Sequence, residues 1–155
     1  MSKIVMIVED YADSREMMKI LIQFQGYKVV EASDGSEAVE KSVHHRPDLI
    51  FMDLVLPVMD GVTATKLIRE IEGFDKVPIV ALTGFRITSF DKAIEAGFDD
   101  VLIKPLHFEN LKPLLHRYLV DKPTLSDKMD VQPVNKSLDI PDLNSAQTVK
   151  HLNIL

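Results

Sequence analysis

Cysteine is absent from all 155 residues. That excludes disulfides, thiolate nucleophiles and any zinc site built on sulfur. An excess of positive charge is missing too: 18 Lys and Arg stand against 24 Asp and Glu, for a net charge of −6. A general nucleic-acid binder needs a basic face, and anionic membranes attract basic segments, so no direct nucleic-acid binding and no membrane surface are expected. No apolar run has the length of a membrane span. The run Ile4–Val8 is too short for a signal peptide and meets Glu9-Asp10 at once, so no membrane insertion and a cytoplasmic location are the default expectation. After Tyr118 there is neither glycine nor aromatic residue, while Pro123, Pro133 and Pro141 punctuate a polar stretch. Residues 1–120 therefore read as one folded domain and 121–155 as a flexible tail, with a short amphipathic segment near 143–155. No internal repeat is visible.

What is present is globular: 46% hydrophobic and 27% charged residues, enough to bury a core without staples. Residues 4–8 form a continuous apolar run, β-branched but for Met6, as expected of a strand buried on both faces. Apolar residues at Met17, Met18, Ile20, Leu21 and Phe24 have helical spacing and predict a helix over 14–25, closed by Gly26. A short strand over 27–32 leads through an Asp34-Gly35 turn to a helix over 36–45, with Ala38, Val39 and Val43 inward. A third buried strand, 49–52, ends on Asp53. The next helix covers 62–71 with Ala64, Leu67, Ile68 and Ile71 on one face, and a fourth strand covers 78–82 and ends at Thr83. A helix over 89–96 stops at Gly97, and a fifth strand, 101–103, ends at Lys104-Pro105. The last helix spans 108–119, with Pro113 expected to kink it or delay its start.

Five strands alternating with five helices give an open parallel sheet, doubly wound, with helices on both faces. Two strand orders are compatible with right-handed crossovers. Both place ligands beyond the carboxyl ends of the strands, at the switch point in strand order. There the chain supplies Glu9 and Asp10 from the first strand, Asp53 from the third, Thr83 from the fourth and Lys104 from the fifth. Singly these are ordinary: an acidic pair caps a turn, a threonine ends a strand, a Lys-Pro makes a surface loop. Jointly they are three carboxylates, a hydroxyl and an ammonium at one edge. Crowded carboxylates repel, and a hard divalent cation such as Mg²⁺ relieves that with oxygen ligands. Lysine and threonine suit phosphoryl oxygens, and a carboxylate beside them can act as nucleophile to give an aspartyl phosphate.

These residues resemble the receiver domain of two-component response regulators. The resemblance rests on Val8-Glu9-Asp10, on Asp53-Leu54-Val55-Leu56-Pro57-Val58-Met59-Asp60-Gly61, on Ala81-Leu82-Thr83-Gly84 and on Lys104-Pro105, and covers residues 3 to 120. It implies a flavodoxin-like sheet in the order 2-1-3-4-5. Asp53 would be the phosphoacceptor, served by a histidine kinase or histidine phosphotransfer protein. Mg²⁺ would be held by Asp10, by Glu9 through water, by Asp53 and by the backbone carbonyl of Val55. Thr83 and Lys104 would meet the phosphoryl group, and Lys104-Pro105 would be cis. The output would be a switched contact with a downstream protein partner, because too little chain follows residue 119 for a DNA-reading domain. Such a protein is a signalling module and no enzyme beyond its own aspartyl phosphorylation and dephosphorylation.

The sequence departs from the family in places. Val101 stands where receivers usually carry Tyr or Phe, so the aromatic switch is missing. Gly84 replaces the common alanine after Thr83. Val55 and Phe85 are apolar where residues usually flank the attacking water, which predicts a long-lived phosphoryl group. Two other functions compete. One is an aspartyl-phosphate hydrolase of haloacid dehalogenase type, which needs an Asp-x-Asp pattern after the first strand; here that stretch reads Glu9-Asp10-Tyr11-Ala12. The other is a phosphate shuttle or sink in a phosphorelay. The five histidines lack metal spacing, and none is assigned as a ligand.

Overall fold

A computed structural model describes residues 2–84 and 90–120. The segment 85–89, with Phe85, and the expected tail 121–155 lie outside the described residues. Strands β1 (Ile4–Val8), β2 (Lys28–Ala32), β3 (Leu49–Asp53), β4 (Ile79–Thr83) and β5 (Asp100–Ile103) alternate with helices α1 (Ala12–Phe24), α2 (Gly35–His45), α3 (Gly61–Glu70), α4 (Phe90–Glu95) and α5 (Phe108–Leu119). All strand pairs are parallel and the order is β2-β1-β3-β4-β5. Of the two orders open to the sequence, the flavodoxin-like one is formed.

Alternation along each strand divides the core into two layers. Val5 and Ile7 of β1, Leu49 and Phe51 of β3, Val80 and Leu82 of β4 and Leu102 of β5 pack against Met18 and Ile22 of α1 and Leu111, Leu114 and Leu115 of α5. Met6, Val8, Ile50, Met52, Ile79 and Ala81 point the other way, onto Ala38 of α2, Ala64 and Ile68 of α3 and Ala93 of α4. Both faces are thus apolar, which is why β1, β3 and β4 read as unbroken hydrophobic runs.

Several expectations need correction. Val43 and Leu67 do not face inward; they are exposed, and Ser42 and Thr65 are buried in their helices instead. Ser42 can be buried because its hydroxyl donates to the carbonyl of Ala38 at 2.8 Å. Asp34-Gly35 is more than a turn. Asp34 caps α2 by accepting from the backbone N–H of Glu37 at 2.8 Å, and Gly35 is the first helical residue. Pro113 does not delay α5, whose first turn closes through Asn110 and Leu111 N–H groups onto the carbonyl of His107. It lies on the exposed side, where solvent can meet the carbonyl that a proline leaves unbonded.

The amino-terminal edge of the sheet is stitched by side chains. Asp48 accepts from the N–H of Ile4 at 2.8 Å, and its own N–H returns to the Ile4 carbonyl at 2.7 Å. The guanidinium of Arg69, at the end of α3, donates to the carbonyls of Phe74 (2.8 Å), Val77 (2.5 Å) and Gly97 (2.8 and 3.0 Å) and to Asp99 (2.8 Å). No described helix is long and apolar enough to cross a membrane.

Candidate functional site

The opposite edge carries the polar groups. β1 ends at Val8, so Glu9 and Asp10 follow directly; β3 ends on Asp53, β4 on Thr83, and β5 one residue before Lys104. The parallel register brings these ends level, with Asp53 beside Leu82 and Thr83 beside Ile103.

One carboxylate oxygen each from Glu9, Asp10 and Asp53 lie within 4.8 Å of one another. Lys104 reaches into this group, its ammonium 2.6 Å from Asp53 Oδ2 and also hydrogen-bonded to Glu9. Glu9 and Asp53 are buried, while Asp10 is exposed. Burial pushes the Glu9 carboxyl pKa upward despite the bond from Lys104. For Lys104, burial pulls downward, but its bonds to Asp53 and Glu9 outweigh that and its pKa is raised. The ammonium is therefore kept charged between two acids. The remaining negative charge and the hard oxygen donors suit a divalent cation; Glu9, Asp10 and Asp53 are the side chains that would hold one.

Asp53 is fixed by its own loop. Its Oδ1 accepts from the N–H of Val55 at 3.0 Å, and the N–H of Leu54 donates to the Leu82 carbonyl at 3.1 Å. Val55 lies two residues past Asp53, with its side chain exposed. Thr83 is buried at the end of β4, and the N–H of Lys104 donates to its carbonyl at 2.7 Å. The Lys104-Pro105 bond is cis. Val101 is partly buried on β5, paired with Ala81, and Gly84 is exposed.

Three contributors escape a reading of the sequence. Arg15 of α1 donates to the carbonyl of Glu9 at 2.8 Å while its Nε reaches Glu31 at 3.3 Å, which steadies the Glu9-Asp10 peptide. The N–H of Tyr11 donates to Glu9 Oε1 at 3.1 Å. Gly35 donates to the carbonyl of Met59 at 3.1 Å, tying α2 to the loop after Asp53. Arg15 could have been suspected from its place one turn into the helix that follows the acids. The glycine contact joins residues 24 positions apart and leaves no local signal.

An open parallel sheet with an acid cluster and a lysine at its carboxyl edge is the arrangement of a signal-receiving domain, and the comparisons agree. The response regulator receiver domain matches residues 5–116. The chemotaxis protein CheY of Bacillus subtilis is 36% identical over 74% of this chain and 96% of its own. The polar-differentiation response regulator DivK of Brucella anthropi is 32% identical over 78% of this chain and 99% of its own. Among solved structures, the receiver domain of the sensor histidine kinase PA1611 from Pseudomonas aeruginosa, with magnesium in its active-site cleft, superposes with a TM-score of 0.70 at 34% identity, over 76% of this chain and 98% of that one. This chain belongs to the response regulator receiver family. It is a CheY-like signalling domain of two-component systems.

Proposed function

We propose that Asp53 accepts a phosphoryl group from the phosphohistidine of a histidine kinase or histidine phosphotransfer protein, and that the modified domain then binds a downstream protein. The observation that carries this is the Lys104 ammonium 2.6 Å from Asp53, inside a cluster of three carboxylates. A carboxylate oxygen of Asp53 forms the new O–P bond as the P–N bond to the donor imidazole breaks, and the electron pair leaves with the imidazole. Val55 N–H holds the other side of the carboxylate and sets its rotamer. The Lys104 ammonium, already between Asp53 and Glu9, follows the negative charge onto a phosphoryl oxygen. The hydroxyl of Thr83 donates to another.

Glu9, Asp10 and Asp53, with the carbonyl of Val55, would hold Mg²⁺. When bound, the ion neutralises phosphoryl charge. In this reading residues 1–120 are the receiver and 121–155 a tail outside it, in the cytoplasm. Val55 and Phe85, both apolar, would leave the attacking water of hydrolysis without a partner and give a long-lived signal.

The test is Asp53→Asn. Wild type and variant are incubated with acetyl phosphate and Mg²⁺ and weighed by intact mass spectrometry. Wild type should gain one base-labile phosphoryl group and the variant none; equal labelling would remove Asp53 from its role.

A further inference from the structure

Val58 has a backbone that valine rarely adopts. Its φ is +65°, and the N–H of Met59 donates to the carbonyl of Pro57 at 2.7 Å. A bond from one residue to the second before it, across a positive φ, is the strained form of γ-turn. A β-branched side chain in this region is a true outlier; glycine fits there without strain, and asparagine or aspartate with less strain than valine.

Burial does not explain the choice, because Val58 is 86% exposed. The loop around it is fixed at both ends. Leu54 accepts from Gly61 N–H at 3.2 Å, Met59 accepts from Gly35 N–H at 3.1 Å, and Asp60 caps α3 through Thr63 N–H at 2.7 Å. A strained residue persists where its surroundings over-determine it. Here they hold a branched apolar side chain rigidly out from the loop that carries Asp53. Two more exposed apolar side chains belong to the loops at this edge: Val55 (64%) and Tyr11 (62%).

We propose that Val58 is a specificity-determining residue for the phosphoryl donor, an apolar knob that a protein donor covers and a small-molecule donor does not. This rests on the reading that Asp53 is phosphorylated. In-line transfer needs the donor nitrogen within about 3–3.5 Å of the attacking oxygen. The surface bearing that imidazole must then close over the loop after Asp53. A preordered side chain buries its area there with little loss of rotamer freedom, which favours contact with a donor that presents an apolar patch beside its histidine.

The experiment compares two donors on three proteins. The protein donor is whichever phosphorylated kinase in a purified panel labels wild type fastest; the small donor is acetyl phosphate with Mg²⁺. Val58→Asn removes the knob and suits the positive φ, so it should raise the urea midpoint. Its kcat/KM with the kinase should fall about tenfold through KM, with acetyl phosphate labelling within about twofold of wild type. Val58→Thr keeps the branching and the strain but exchanges a methyl for a hydroxyl; it should lose kinase transfer without gaining stability. Unchanged kinase transfer in Val58→Asn overturns the proposal, as does an equal loss with both donors. Labelling by acetyl phosphate that survives in Asp53→Asn would instead strike down the phosphoacceptor reading, and the proposal with it.

Discussion

Gly61 has no room for a side chain. A Cβ there would sit 2.0 Å from the carbonyl oxygen of Asp53 and 3.0 Å from the Cα of Leu54. Both are backbone atoms, so relief requires moving the start of α3 or the end of β3. Gly61→Ala should cost about 2–4 kcal/mol in urea denaturation and also slow acetyl phosphate labelling, because the strand end that moves carries Asp53. Gly84→Ala is the control: a Cβ at Gly84 meets nothing within 4 Å, and stability should stay within about 0.5 kcal/mol. The sequence shows both glycines equally, and only the approach of a second backbone tells them apart. The chemical residues are different. Glu9, Asp10, Asp53, Thr83 and Lys104 could be gathered from sequence alone, because strand ends are set by hydrophobic runs and the fold brings those ends to one edge. Among the described residues the buried hydroxyl of Thr65 has no hydrogen-bond partner.

At the scale of elements, helical spacing identifies a helix but overstates what it buries. In α1, Met17, Ile20 and Phe24 follow the apolar pattern yet are 45, 57 and 83% exposed, while Met18 and Ile22 are fully buried. A helix lying on a sheet covers one stripe, and apolar residues beyond that stripe stay in solvent whatever their period. Helix starts are better marked. At α2, Glu37 accepts from the N–H (2.9 Å) and hydroxyl (2.8 Å) of Ser33 and pairs with Lys41. The bond from Lys41, then that from the Ser33 backbone, lower the Glu37 pKa from 4.5 to about 2. A folded pKa below the unfolded one means the stabilisation is complete above about pH 4.5 and is lost as pH falls toward 2. Glu37 is one-third exposed, so solvent screening reduces the contribution to about 1 kcal/mol. Stability measured from about pH 6 down to about pH 2.5 should fall by that much less in Glu37→Gln than in wild type.

For the molecule as a whole, the two edges of the sheet do different work. The carboxyl edge collects the acids and Lys104; the amino edge is closed by Arg69, Asp48 and the bond from Arg117 to Asp100 at 2.9 Å. The first edge was legible in the sequence and the second was not, since Arg69 on its own is one more charge near a helix end. Its value comes from two loops, α3–β4 and α4–β5, converging on it. Arg69→Met should keep the aliphatic packing and lose about 3 kcal/mol in thermal or urea unfolding, with acetyl phosphate labelling of the folded variant unchanged. That separation would show that stability and chemistry can be altered independently here.

The same clamp has a mechanical side. Arg69 grips the carbonyl of Gly97, and Gly97 closes the end of α4 at a φ of +100°, its N–H bonded to Ile94. One end of α4 is pinned to α3 and the other points toward the carboxyl edge. The helix has six residues, so it is a rod about 9 Å long with a fixed pivot. A tilt of roughly 10° about that pivot would carry its far end through about 1.5 Å and leave the pinned end in place. Any displacement of the far end would therefore be a swing about Arg69 and not a shift of the whole helix.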